Sequence, residues 1–355
     1  MTPLATILRA RIAAGGPITL ADYMAECLLH PEHGYYTTRP VFGAAGDFTT
    51  APEISQMFGE LLGLSLAQAW LDQGRPAPFT LAEPGPGRGT LMADLLRATA
   101  AVPGFRDAAR VLLVEAAPAL REVQRATIGA AVEWCGSLND LPEAPLFLIA
   151  NEFFDALPIR QFTRDGAGWA ETLVGAGADG LRFGRGAPGP VAALAHRLAD
   201  TAPGDVVEIC PSAPVLMQAI AGRIARHGGA ALVIDYGGWR SRGDTFQALR
   251  GHAPVDPLAE PGQADLTAHV DFEPLADAAR AAGARTSALT PQGVMLERLG
   301  IAARARVLAR RLTGPAREAH VAAHRRLTHP AEMGTLFQAL AVVPEGAPLP
   351  AGFAP

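Results

Sequence analysis

The chemistry in this sequence concentrates where a short apolar run, Phe79-Thr-Leu-Ala, ends in the acid Glu83 and meets three glycines at alternate positions, Gly85, Gly87 and Gly89. Thr90 then opens a helical pattern, Thr90-Leu-Met-Ala-Asp-Leu-Leu96. Glycine suits backbone at positive φ and positions where a ligand must come close. A strand, a glycine turn and a helix start together make the nucleotide-binding turn of an α/β unit. The register is E-x-G-x-G-x-G, not the G-x-G-x-x-G of dinucleotide folds, whose pyrophosphate rests on the helix N-terminus. A turn with no phosphate to cradle suits S-adenosylmethionine.

A second acid, Glu115, ends the next apolar run, 26 positions past Gly89. That is the place of a carboxylate that accepts hydrogen bonds from a ribose diol. Ser137-Leu138-Asn139-Asp140 follows a third short run and either meets the adenine ring or forms an ordinary turn. Asn151-Glu152-Phe-Phe-Asp155-Ala-Leu-Pro leaves a fourth run, Leu146-Phe-Leu-Ile-Ala150. Its two carboxylates, separated by two phenylalanines, could hold a cationic acceptor; the alternative is a helix start capped by Asn151 or Asp155. Methyl transfer from a sulfonium is an in-line displacement, so positioning supplies much of the rate. An arginine acceptor, with a pKa above about 12, needs a carboxylate to orient it and take its proton. Glu152 is the first candidate and Asp155 the second, with Glu208 a further acid.

These residues need strands to carry them. Near-continuous apolar runs at about 79–83, 111–115, 131–134, 146–150 and 230–235 alternate with helical patterns. That predicts an α/β fold: a mostly parallel sheet of seven strands, helices on both faces. Residues 1–75 read as an N-terminal helical cap with helices at 3–14, 19–30 and 53–73. The aromatic loop from His33 to Pro52 reads as a lid. The cofactor-binding domain spans 76–345, with insertions at about 156–228 (hairpins and helices) and 291–328 (helical). A Pro/Gly/Ala tail, 346–355, reads as frayed.

All thirty basic residues are arginine, the formal charge is −5, and hydrophobic residues make up 49%. Such a chain is globular, without a nucleic-acid footprint. The seven arginines between Arg304 and Arg326 read as a solvated helical face. Cys27, Cys135 and Cys210 are isolated, which fits a reducing compartment, and neither a secretion signal nor a membrane span is evident. The cytoplasm is expected. Asp265, His269 and Asp271 invite a metal reading, but no second histidine or cysteine supports it. His320 and His324 lack the glutamate of His-Glu-x-x-His. No metal is expected.

Six motifs in order resemble one family. They are Gly34-Tyr-Tyr, Gly46-Asp-Phe-Thr-Thr-Ala-Pro through Glu60, Glu83 through Thr90, Asn151 through Ile159, Asp235-Tyr-Gly, and Asp265-Leu-Thr-Ala-His-Val-Asp-Phe. Together they resemble the MidA-like methyltransferases, over roughly residues 17–343. The resemblance implies a class I S-adenosylmethionine methyltransferase (Rossmann-like) that methylates arginine on a quinone-module subunit of respiratory complex I and supports complex assembly. It implies that Glu83, Gly85, Gly87, Gly89, Thr90, Glu115, Ser137, Leu138 and Asn151 serve the cofactor. Thr49 to Gln56, with Thr50, Ser55 and Gln56, would close over the site, and Glu152 would face the acceptor. Ala116-Ala117-Pro118 departs from the family's Thr/Ser-Ser-Pro. A small-molecule methyltransferase and a cofactor-binding assembly chaperone are the alternatives; the glycine register disfavours a nicotinamide oxidoreductase.

Overall fold

The apolar runs become strands because both faces of each are covered. In the computed structural model, which describes residues 1–38 and 50–354, every residue of β1 (Phe79–Pro84) and β4 (Leu146–Asn151) is buried. With β2 (Ala109–Val114), β3 (Glu133–Cys135), β5 (Gly229–Gly238), β6 (Ala284–Thr286) and β7 (Phe337–Pro344), they form a sheet in the order β6-β7-β5-β4-β1-β2-β3. β1 pairs in parallel with β2 and β4, and β4 with β5. β7 runs antiparallel to both β5 and β6. The sheet is therefore mixed, and two further two-residue pieces bring its strand count among the described residues to nine.

Helices α1 (Gln56–Asp72), α2 (Thr90–Thr99), α3 (Pro118–Ile128) and α4 (Phe272–Ala281) accompany this sheet. The expected helix 53–73 is two pieces, Ala51–Ile54 and α1, because Ser55 is extended between them. Its hydroxyl caps α1 by accepting from the Met57 amide. Gly59 and Gly63 let α1 close on α2: a Cβ at Gly63 would lie 2.7 Å from Leu95 Cγ, and one at Gly59 2.8 Å from Asp94 Cβ. Beneath them Trp70, Phe79, Phe105 and Phe147 pack ring on ring, with centroids 5.0 to 6.0 Å apart. Each buried ring of this kind contributes about 2–3 kcal/mol. The helical stretch 291–328 comprises α5 (Gln292–Arg298), α6 (Ile301–Ala309) and α7 (Gly314–Thr328).

The chain divides differently from the cap-plus-domain expectation. One unit holds residues 50–154, Pro214–Trp239 and 272–354; the other holds 1–38, Asp155–Ala213 and Arg240–Asp271. Residues 50–75, read as cap, thus belong with the sheet, because α1 is packed on α2. The smaller unit is built on antiparallel strands: Gly168–Gly177 pairs with Arg160–Asp165, Gly180–Arg185 and Ile18–Thr19. Val206–Ile209 extends it. Within the expected insertion of hairpins and helices, Ala192–Ala199 is a 3-10 helix, whose N-cap Val191 has no side chain able to cap it. A three-stranded sheet of Gln247–Arg250, Ala253–Val255 and Asp265–Thr267 was not expected. The tail is not frayed: Ser65 donates to the Ala351 carbonyl at 2.7 Å, the Ala288 amide donates to the Ala354 carbonyl, and Leu349 and Phe353 pack on the core.

Candidate active site

β1 and β4 are neighbours from which the chain leaves in opposite directions along the sheet, toward β2 and toward β5. Such a switch point opens a crevice at the carboxyl ends of the strands. Glu83 and Asn151 stand at those ends, 4% and 9% exposed, and both carry a buried acceptor oxygen with no partner among the described residues: Glu83 Oε2 and Asn151 Oδ1. Burial pushes the Glu83 carboxyl well above the ordinary carboxylate range. A native fold rarely leaves such oxygens unmet unless something else is to donate to them.

Gly85, Gly87 and Gly89 all take positive φ, 61°, 52° and 83°. A Cβ on Gly85 would come 3.1 Å from Phe153 Cδ2, so the turn after β1 and the turn after β4 touch through this glycine. Glu115 follows β2; its Oε1 accepts from the Ala117 amide at 2.8 Å. Burial raises its pKa, opposed by that amide and by Gln124. Ala117 supplies no side-chain cap to α3, but its backbone holds Glu115.

Gln124 escaped the sequence reading. It is fully buried, and its Nε2 donates to the Gly87 carbonyl at 2.9 Å and to Glu115 Oε2 at 3.1 Å. Its Oε1 accepts from Trp134 Nε1 at 2.7 Å. One amide thus ties the glycine turn to Glu115. The signal was there: Gln124 sits four residues from both Leu120 and Ile128, on the inward stripe of α3.

Glu152 holds φ at 50°, a left-handed conformation that costs a non-glycine residue about 1–3 kcal/mol. Its amide donates to the Ile234 carbonyl, and its Oε1 accepts from the Ala51 amide and from Asn151 Nδ2, each at 3.0 Å. Fully buried Asp235 braces the turn by accepting from the Phe154 amide at 3.0 Å. The segment Ala51–Ile54 is thereby anchored on Glu152, and Glu53 ties it to the glycine turn. Glu53 accepts from the Thr90 hydroxyl at 2.5 Å and lies 3.9 Å from Arg88.

Other candidate residues hold internal positions. Ser55 caps α1, and Gln56 donates to Glu60. Thr50 precedes Ala51–Ile54 without a side-chain capping bond. Ser137 caps the turn Leu138–Asp140, in which Leu138 is buried. Thr49 and most of the expected lid lie outside the described residues. Asp155 is not grouped with Glu152: it falls in the smaller unit, where its carbonyl accepts from the Ala268 amide. In that unit Asp265 accepts from Tyr36, while Asp271 accepts from the Arg240 amide and faces Arg197. Among the described residues no group of three His, Cys, Asp or Glu could hold a metal ion.

Unmet acceptors at adjacent strand ends, a glycine turn open to approach and a carboxylate fixed on β2 fit a small ligand bearing an ammonium and hydroxyls. S-adenosylmethionine is such a ligand. A protein-family profile described as "Putative S-adenosyl-L-methionine-dependent methyltransferase" matches residues 61–290. The mitochondrial protein arginine methyltransferase NDUFAF7 of Bos taurus is 38% identical over 375 residues, covering 97% of this chain and 84% of the relative. The Homo sapiens protein of that name is 37% identical over 381 residues, with 97% and 84% covered. A Burkholderia thailandensis protein crystallised with S-adenosyl-homocysteine superposes with a TM-score of 0.83 at 32% identity, over 98% of this chain and 93% of that one. With that agreement of glycine turn, sheet and relatives, the chain belongs to the S-adenosylmethionine-dependent methyltransferase family.

Proposed function

We propose that this methyltransferase modifies an arginine of a protein, a quinone-module subunit of respiratory complex I, and so supports assembly of that complex. The observation that carries the reading is Glu152, a carboxylate held in a left-handed conformation at the end of β4 and hydrogen-bonded to the segment Ala51–Ile54. The relatives named protein arginine methyltransferase support the choice of acceptor.

Bound S-adenosylmethionine supplies an electrophilic methyl whose bonding electrons leave with the sulfur. In our reading Glu83 and Asn151 take the ammonium of its amino-acid end, and Glu115 the ribose diol. Gly85, Gly87 and Gly89 let the backbone approach, with Thr90 behind them. Leu138 and Ser137 border the adenine, and Thr50, Ser55 and Gln56 belong to the covering segment. Glu152 orients the guanidinium and takes its proton as the nitrogen becomes nucleophilic. Phe153 keeps water from that pair. Cys27, Cys135 and Cys210 are free thiols, in keeping with a reducing compartment, and we place the protein in the cytoplasm. Among the described residues no helix is long and apolar enough to cross a membrane.

The test uses lysate from cells lacking the gene, purified protein and methyl-labelled S-adenosylmethionine. One labelled protein carrying the label on arginine, and no label with Glu152→Gln, is the expected result. Cofactor binding without any labelled protein would overturn the reading in favour of a small-molecule acceptor or a binding chaperone.

A further inference from the structure

The hairpin of α6 and α7 carries the arginine run that the active site leaves unused. Seven arginines against one glutamate give Ile301–Thr328 a charge of +6, so the remainder of a chain of net charge −5 carries −11. Two of the seven are taken: Arg304 is paired with Glu60 at 2.7 Å, and Arg325 with Glu332 at 2.9 Å. Arg310, Arg311, Arg317 and Arg326 are exposed and make no ion pair among the described residues. Unpaired like charges on one hairpin repel one another, a standing cost that an anionic partner relieves.

The position of the hairpin matters as much as its charge. α7 packs against Ala51–Ile54, the same segment that donates to Glu152 and holds the glycine turn through Glu53. Its outward face carries Arg317, Glu318, Val321 and Arg325. Val321 is 58% exposed and, on α6, Val307 is 49% exposed.

From this charge and place we infer that the outer face of α7 docks an acidic segment of the polypeptide substrate, next to the residue to be methylated; the assignment rests on the protein-arginine reading above. The hairpin has no Phe, Tyr or Trp, the broad platforms on which bases stack. It also lacks the Trp, Phe or Leu facing outward that would anchor it in a lipid interface. Glu318, among the arginines, is repelled by a plane of lipid phosphates or a nucleic-acid backbone. It suits a peptide in which acids flank a basic residue. Arg317, with Arg311 in the turn before α7, pairs with the acids, Val321 takes an apolar side chain, and Glu318 meets the base.

The test measures fluorescence anisotropy of a labelled oligoglutamate peptide with the full-length protein. Wild type is expected to bind, more weakly as salt rises through about 0.15 M. Arg311→Glu with Arg317→Glu is expected to weaken binding at least about tenfold while S-adenosylmethionine binds as before. Arg182→Glu with Arg185→Glu, the same charge change on another surface, is expected to leave it unaltered. Arg311→Gln with Arg317→Gln adds no repulsion and should lose an intermediate share, which guards against a misfolded reversal variant. Equal binding by wild type and both Arg311/Arg317 variants overturns the inference. So does preferential binding of duplex DNA or of phosphatidylserine vesicles through these arginines. No step of this assay requires methyl transfer, so an absence of labelled arginine in the lysate experiment would sink the acceptor assignment independently. With a labelled acceptor in hand, the reversal pair should raise KM and leave kcat unchanged.

Discussion

Two glutamates, one in each unit, have opposite surroundings. Glu208, in the smaller unit, is saturated: its Oε1 accepts from Gln161 Nε2 and from the Thr245 and Phe246 amides, and its Oε2 from the Thr245 hydroxyl. Gln161 is in turn held by Thr172 and donates to Asp244. Glu83, in the larger unit, ends its strand with an oxygen that no described group meets. Burial raises the pKa of both, but at Glu208 hydrogen bonds from Thr245 and Gln161 pull it back, whereas at Glu83 burial is the sole cause. A saturated carboxylate organises its own neighbourhood; one left short is kept for something that arrives. That distinction withdraws Glu208 from the candidate acids and strengthens Glu83.

The contrast can be broken by four substitutions. Glu152→Gln is expected to slow methyl transfer about 10³-fold with cofactor affinity little changed, because the amide oxygen can still accept from Ala51; single-turnover rates and calorimetry separate the two. Glu83→Gln should weaken S-adenosylmethionine about ten- to a hundredfold, the worth of a charged hydrogen bond. The same variant should be more stable without ligand. Because the folded pKa of Glu83 lies above the unfolded one, its neutral form suits the fold at acid pH. Stability then drains away as pH rises through the folded value. The variant's advantage in thermal melts must therefore be larger at pH 8 than at pH 5, and must shrink when cofactor is bound; no pH dependence would mean that Glu83 already has a partner. Glu208→Ala should cost about 2 kcal/mol by orphaning its donors, with cofactor affinity unmoved. Gln124→Leu, smallest of the four, should loosen the cofactor about fivefold, roughly 1 kcal/mol, by freeing Glu115 and the Gly87 carbonyl from each other.

The larger unit was legible because parallel strands buried on both faces leave unbroken apolar runs, and because acids and glycines at their ends have few structural reasons to be there. Glu83, Glu115 and Glu152 were singled out that way. The sheet of residues 247–267 was not, since strands of three or four residues containing Pro254 and Arg250 have no period to read. Gln124 was hidden by its polarity in an otherwise charged helix, Arg121-Glu-Val-Gln-Arg125. The tail misled because Pro, Gly and Ala composition describes backbone freedom, not the docking of Leu349 and Phe353. Where one unit stops and the other starts was unreadable, as each is assembled from distant segments.

That assembly has a consequence for synthesis. The first helices, Pro3–Gly15 and Leu20–Leu29, emerge first, but their partners come late: Ile18 pairs with Val174, Tyr23 donates to the Pro257 carbonyl, and Thr2 to that of Pro261. A ribosome adding about 5–20 residues per second leaves Leu4, Leu8, Tyr23, Met24 and Leu28, all buried in the finished fold, uncovered for roughly 10 to 50 seconds. The amino terminus is therefore a waiting hydrophobic surface on every nascent chain, and the stretch on which a holding chaperone would act.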